Sequence, residues 1–384
     1  MLIGIDTSRA FGNDRTGTEN YSYYLVSHLL RLPEAKQHTF VLFTRPNVQI
    51  PEEFYKKNVI IQPIAYRYLW TQVGLAVATW QTNLDVLWIP AHTLPVLRRP
   101  SLKTVVTIHG LEYRWLPEYR NPLQRWYLPL STYYAARHAS RLIAVSEATK
   151  RDLVVETHID PLKTSVIYEG VSGESANPST NSGRGQRISK SAMQGVFAKY
   201  DIQHAKYILF VGTVQPRKNL PALVQAFSLV HTKYPDYKLV VAGGLGWMAQ
   251  DTLLAPSRYG VQDAVIFTGR VSDETLSVLY ASAALYVQPS YTEGFGLPVL
   301  ESMAAGVPVV SSNGGALPEV VGDAGILVAL KPLRDYPLQL AAAVTTVLGD
   351  ATAARRLVAR GRVRAAQFTW KRAAQATLSL LVSV

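Results

Sequence analysis

Two carboxylates eight residues apart, Glu293 and Glu301, enclose the run Glu293-Gly294-Phe295-Gly296-Leu297-Pro298-Val299-Leu300-Glu301. Gly294 and Gly296 allow the backbone to approach a ligand closely, and Pro298 suits the first turn of a helix. The pattern predicts a helix over Leu297–Ala305, closed by Gly306. Its first turn would offer unpaired N–H groups and partial positive charge, a site where a diphosphate gains hydrogen bonds and favourable electrostatics. Glu293 lies in the loop and Glu301 about one turn inside the helix, so both can border one ligand from different sides. A carboxylate accepts hydrogen bonds from hydroxyls at charge-assisted strength, which suits sugar and ribose. Two rivals stand beside this reading. One is a Gly-rich loop that only caps a core helix. The other is a glycosidase acid/base pair, which in retaining enzymes needs carboxyls about 5–5.5 Å apart; the spacing neither enforces nor excludes that distance.

These residues must be held by a scaffold, and the sequence describes one. Strands are predicted at Leu2–Ile5, Thr39–Thr44, Val59–Pro63, Val86–Ile89, Thr104–Ile108, Arg141–Val145 and Thr164–Ile167, with helices at Asn20–Leu32, Thr71–Thr82, Pro122–His138 and Glu147–Glu156. Ser172–Ser191 then turns rich in Ser, Gly and Asn and reads as linker or loop. Alternation restarts with strands at Tyr207–Val211, Lys238–Ala242, Ala264–Phe267, Ala284–Val287, Val307–Ser311 and Gly325–Val328, and helices at Pro221–Lys233, Asp273–Ser282, Leu297–Ala305 and Leu338–Leu348. Such alternation predicts parallel sheets covered by helices on both faces, in two α/β domains. The expected division is an N-terminal domain over 1–171, a linker or loop over 172–205 and a C-terminal domain over 206–369. Ligands of such sheets bind beyond the carboxyl ends of the strands. His109, Gly212, Gly243 and Glu293 all follow predicted strands, and a cleft between the two sheets is expected.

The 384 residues exceed one ordinary core. A formal charge of +12 and a pI of about 9.7 suit anionic partners or simply a basic surface. With no cysteine, disulfides, thiolate nucleophiles and Cys-based zinc sites are excluded. Leu2–Ile5 runs directly into Asp6 and reads as a strand, so no signal peptide is expected. No uncharged apolar run approaches the roughly 18 residues of a spanning helix. The expectation is a cytoplasmic chain.

Glu-x7-Glu opening on Glu-Gly-Phe-Gly-Leu-Pro, followed by Gly306-Val307-Pro308-Val309-Val310 and Leu317-Pro318-Glu319, resembles the retaining GT-B glycosyltransferases of family 4. The similarity runs from Asp6 to about Val328 and is densest after Tyr207. It implies two Rossmann-like domains facing across a cleft, a nucleotide-sugar donor, no metal or other cofactor, and retention of anomeric configuration. It also implies that the last helix, Trp370–Val384, crosses back to the N-terminal domain, and that the acceptor is a glycan or lipid-linked saccharide. Gly212-Thr213-Val214-Gln215-Pro216-Arg217-Lys218 resembles the family's second donor motif, in which Arg217 and Lys218 would neutralise the diphosphate and the leaving group. Many members carry Arg or Lys directly after the glycine where this chain has Thr213, which shifts weight to Arg217 and Lys218. His109 would contact the donor sugar near the anomeric centre. The Gly12 and Gly17 loop would lie against the diphosphate, with Gly17 the better candidate. The donor would sit between Gly244 and Val271 on one side and Gly294, Phe295, Gly296 and Leu297 on the other, with Glu293 on the sugar and Glu301 on the ribose.

Other signals compete. Gly244-Leu245-Gly246 mimics a dinucleotide fingerprint, but the acidic residue at the right spacing, Asp263, precedes its strand instead of ending it. Tyr113, Arg114, Trp115, Tyr119, Arg120, Arg125, Trp126, Tyr127, Tyr133, Tyr134, Arg137 and His138 mix aromatic and basic character. They suit peripheral contact with an anionic membrane, an acceptor site or a wet core edge alike. The basic run Arg355–Arg372 carries no nucleic-acid recognition motif and reads as a solvated helix face. A GT-B epimerase, a GT-B phosphorylase and a non-catalytic nucleotide-sugar-binding protein remain the alternatives.

Overall fold

A computed structural model describes every residue except 13–14, 16, 67, 112, 114–121 and 172–187, and the side chains of 122–125. It divides into two compact units, Met1–Gly170 with Trp370–Val384, and Val171–Thr369.

The first unit contains strands β1 (Leu2–Asp6), β2 (Thr39–Thr44), β3 (Val59–Pro63), β4 (Val86–Ile89), β5 (Lys103–Ile108), β6 (Arg141–Ala144) and β7 (Thr164–Val166). Its helices are α1 (Gly17–Arg31), α2 (Ala76–Gln81), α3 (Pro122–His138) and α4 (Glu147–Thr157). The sheet order is β3-β2-β1-β4-β5-β6-β7, with each neighbouring pair parallel. Helices on both faces leave no wet side, which is why Val86-Leu87-Trp88-Ile89 is apolar and buried at every position.

The second unit runs α5 (Lys190–Tyr200), β8 (Tyr207–Val211), α6 (Leu220–Lys233), β9 (Lys238–Ala242), α7 (Gln250–Arg258), β10 (Val265–Gly269), α8 (Asp273–Ser282), β11 (Leu285–Gln288), α9 (Leu297–Ala305), β12 (Val309–Ser312), α10 (Leu317–Val321), β13 (Ile326–Val328), α11 (Tyr336–Gly349) and α12 (Ala351–Ala365). Its sheet order is β10-β9-β8-β11-β12-β13, again parallel. Helix α13 (Trp370–Ser383) returns to the first unit and packs on α1, with Trp370 stacked on Tyr24 at 5.8 Å between ring centroids.

In each sheet the order reverses once, at β1/β4 and at β8/β11. The crossovers leave such a pair in opposite directions, opening a crevice beyond the strands' carboxyl ends. The loops after β8 and β11, which meet at the second reversal, hold Arg217, Lys218 and Glu293.

Each predicted strand overlaps an observed one, and three helices were not foreseen. Part of the stretch 172–205, expected to be linker, is helix α5. Ser189 caps it by accepting from the Ala192 N–H, and Ala192, Met193, Val196 and Phe197 recur at helical spacing beside α8. The Ser- and Gly-rich residues 172–187 before it masked that pattern; they lie outside the described residues. Pro256 broke the pattern of α7 yet falls near its end, and α10 is only five residues long.

Candidate active site

The reversal in the second sheet brings the loops after β8 and β11 together. A single turn, Pro216–Lys218, places Arg217 and Lys218, and the loops are tied by Tyr291 N–H to Arg217 O at 2.9 Å and Asn219 Nδ2 to Pro289 O at 3.2 Å. Glu293 is thereby surrounded by donors. Its Oε1 accepts from Lys218 Nζ at 2.6 Å, Ser290 Oγ at 2.6 Å and Gln288 Nε2 at 2.9 Å; its Oε2 accepts from Arg217 Nη1 at 2.7 Å. Arg217 Nη1 also donates to Thr292 O at 2.6 Å. All three charged side chains are buried.

Burial by itself would raise the Glu293 pKa. The Arg217 and Lys218 charges, with hydrogen bonds from Lys218 and Ser290, outweigh it and hold the carboxyl at about 2. Glu293 is therefore an anion near neutral pH, and it holds the two cations Arg217 and Lys218 in fixed positions. An anion placed there meets charge that is already oriented.

Helix α9 begins four residues after Glu293, as the sequence predicts. Gly296 precedes it at φ +111°, where a Cβ would stand 3.0 Å from Leu317 Cδ2, so only glycine turns the chain there without strain. Leu297 and Pro298 form the first turn. Phe295, expected beside the donor, is buried and meets the Phe368 ring edge-on at 5.8 Å, so its side chain belongs to the core of the unit. Glu301 accepts from Tyr280 Oη at 2.8 Å.

Gly212 follows β8, Gly244 follows β9 and partly buried Val271 follows β10. The glycines of this turn differ in what stands opposite them. A Cβ at Gly244 meets open space, whereas one at Gly243 would lie 2.1 Å from Gly212 O, and one at Gly246 2.8 Å from Thr213 Cγ2. The glycines let the loops after β8 and β9 pair, through Val214 N–H to Gly244 O and Gly246 N–H to Val214 O, both at 2.9 Å. Exposed Thr213 stands on that pairing.

In the first unit His109 follows β5. Its Nε2 donates to Pro90 O at 2.8 Å, its Nδ1 lies 3.4 Å from Glu169 Oε1, and the Tyr21 ring stands edge-on at 4.5 Å. The expected ring contact to a sugar would thus exchange with one of these partners. The His109 backbone N–H donates to His92 Nε2 at 3.1 Å. Burial, then the neighbouring His109 and Arg9, lower the His92 pKa to about 3, which keeps it a neutral acceptor. Gly17 is the exposed first residue of α1, where a Cβ would meet nothing within 4 Å; Thr16 lies outside the described residues.

Sequence reasoning missed Gln288, Ser290, Tyr280 and Glu169. Gln288 could have been found, since a polar residue ending the apolar strand Leu285-Tyr286-Val287 needs a partner. Of the aromatic and basic segment, Arg114, Trp115, Tyr119 and Arg120 lie outside the described residues. Trp126, Leu130 and Tyr133 are exposed on α3. No helix among the described residues is long and apolar enough to cross a membrane. Most of Arg355–Arg372 is solvated, but Arg364 is structural: it donates to the Val320 and Glu319 carbonyls and lies 4.9 Å over the Phe368 ring.

Two parallel-sheet units, one with a buried cationic cluster at its reversal point and a helix N-terminus following, define a GT-B protein. The model of Glycosyltransferase Family 4 matches residues 15–174, and that of Glycosyl transferases group 1 matches residues 196–364. The chain is 31% identical over 279 residues to the O-antigen chain mannosyltransferase B of Escherichia coli, covering 72% of this chain and 69% of that protein. It is 32% identical over 247 residues to the D-inositol 3-phosphate glycosyltransferase of Mycobacterium avium (strain 104), covering 63% of this chain and 54% of that one. Among solved structures it superposes on a glycosyltransferase from Rickettsia africae with a TM-score of 0.73 at 17% identity, over 99% of this chain and 97% of that one. It also superposes on HepE of Anabaena in complex with UDP and glucose, with a TM-score of 0.72 at 17% identity over the whole of both chains. The chain belongs to glycosyltransferase family 4, the group 1 glycosyltransferases, and is an enzyme of that class.

Proposed function

We propose that this enzyme moves a hexosyl group from a nucleoside-diphosphate sugar to a hydroxyl of a glycan or lipid-linked saccharide, with retention of configuration. The observation that carries this reading is the buried Arg217–Glu293–Lys218 cluster at the β8/β11 reversal. Its two oriented cations and the following α9 N-terminus suit a diphosphate. Glu293 orients the two cations and lies where a sugar hydroxyl can be accepted, and Glu301 suits the ribose. Mannose is the first sugar to test, because a mannosyltransferase is among the relatives; glucose and rhamnose follow.

In the reaction the bond from the anomeric carbon to the diphosphate oxygen breaks. The charge left on that oxygen falls to Arg217 and Lys218. The acceptor hydroxyl bonds to the same face of the anomeric carbon and yields its proton to a donor phosphate oxygen. His109 and Gly17 have their assigned donor contacts from the family resemblance. The two cations supply the charge that a metal would otherwise bring, so transfer is expected to persist in excess EDTA; loss of activity that Mg²⁺ or Mn²⁺ restores would refute metal independence.

Binding and turnover across UDP-, GDP-, ADP- and dTDP-sugars test the reading. One nucleotide class is expected to bind and to be consumed in the presence of a saccharide acceptor. Binding of none, or turnover without any acceptor to a new nucleotide sugar, would overturn it. The exposed Trp126, Leu130 and Tyr133 with the chain's net charge support work at the cytoplasmic face of an anionic membrane. Flotation with anionic vesicles at low salt is the check, and a chain that stays unbound would end that part of the proposal.

A further inference from the structure

Glu169 ends the segment after β7 and reaches past β6 to the end of β5. It is 5% exposed, and among the described residues its one side-chain contact within hydrogen-bonding distance is His109 Nδ1 at 3.4 Å. A carboxylate can accept about four hydrogen bonds, so Glu169 has capacity that the described residues do not fill. His109 Nε2 must carry a proton, because its partner Pro90 O only accepts, so Nδ1 donates to the Glu169 carboxylate only when the ring is an imidazolium. His92 is a neutral acceptor toward the His109 backbone. Tyr21, the other titratable side chain beside it, is pushed far up by burial and contacts Thr107 Oγ1 at 3.4 Å. Glu169 Oε2 is left without a donor among the described residues.

We propose that Glu169 is a saccharide-binding residue: its Oε2 accepts a sugar hydroxyl beside His109 at the carboxyl ends of β5 and β7. A hydroxyl is the fitting donor for an acceptor-only group next to aromatic ring edges. The inference rests on the family's sugar chemistry and deepens the His109 assignment. The hydroxyl can come from the donor sugar or from the acceptor, and the two sources separate experimentally.

Glu169→Gln keeps the shape and removes the charge. Affinities would be measured for the nucleotide sugar that the wild type binds, for its free nucleoside diphosphate, and for a methyl hexopyranoside as acceptor probe. If the donor sugar supplies the hydroxyl, Glu169→Gln weakens the nucleotide sugar about tenfold and leaves the free diphosphate unchanged, the size of one charge-assisted hydrogen bond. If the acceptor supplies it, only the hexopyranoside weakens. In both cases the melting temperature stays near the wild-type value, because the amide keeps the shape of the side chain. A melting temperature that falls while every affinity stays at the wild-type value would make Glu169 purely structural and overturn the inference. Lys218→Ala run in parallel keeps the two readings apart: a Lys218→Ala that still binds the diphosphate normally indicts the donor-site reading instead.

Discussion

The two units each bury a carboxylate at the carboxyl end of a parallel sheet, and they treat it in opposite ways. Glu293 in the second unit accepts from four side chains, two of them cations, and is held ionised far below the ordinary carboxylate range. Glu169 in the first unit has one 3.4 Å contact to a histidine. A carboxylate with four donors chiefly aims the charges around it, and has little capacity left for a ligand. One with few donors has capacity to spare. On the proposed readings the same residue type, at a similar place in a similar fold, chiefly positions cations in one unit and chiefly takes up a sugar hydroxyl in the other.

Removing the saturated carboxylate should do the most damage. Glu293→Ala leaves Arg217 and Lys218 buried without their anion, which typically costs about 3–5 kcal/mol, and transfer should vanish even in protein that still folds. A Glu293→Ala variant with wild-type melting temperature and turnover would break the contrast outright.

The next effect separates charge from shape. Glu293 is held at about 2 against an ordinary 4.5, so its ionised form contributes stability fully above about 4.5, and that contribution is lost as pH falls toward 2. Wild type should exceed Glu293→Gln in melting temperature near neutral pH, and the gap should narrow as pH falls from 4.5 toward 2. A gap independent of pH would assign the effect to shape alone.

A smaller effect is expected at Tyr280→Phe. It removes the hydroxyl that holds Glu301 at 2.8 Å, and loss of one hydrogen bond to a charged group should raise the donor KM by about threefold to thirtyfold with kcat nearly unchanged. Equal KM values would show that Glu301 is oriented without Tyr280.

Much of this was legible in the sequence. Strands buried on both faces, such as β4 and β11, must be near-continuously apolar and could be read from that; the edge strands β3 and β10 were read from their β-branched runs, and the Gly-Pro punctuation around Leu297 marked the limits of α9. Arg217, Lys218 and Glu293 were each visible as candidates. Their mutual contact was not, because it depends on β8 and β11 being neighbours, a fact of strand order that local periodicity does not encode. Glu169 carried no local signal, since the residue it stands beside, His109, lies sixty residues earlier in the chain. The packing need at Gly243 was not legible either, because it depends on what stands opposite it, here the carbonyl of Gly212.

The central claim is that the Arg217–Glu293–Lys218 cluster holds the donor diphosphate. Calorimetric titration of UDP, GDP, ADP and dTDP into wild type and Lys218→Ala tests it most directly. One nucleoside diphosphate should bind the wild type, with affinity that falls as salt rises, and Lys218→Ala should bind it at least about tenfold more weakly, as loss of a charge-assisted contact requires. Equal affinities in the two proteins would contradict the claim.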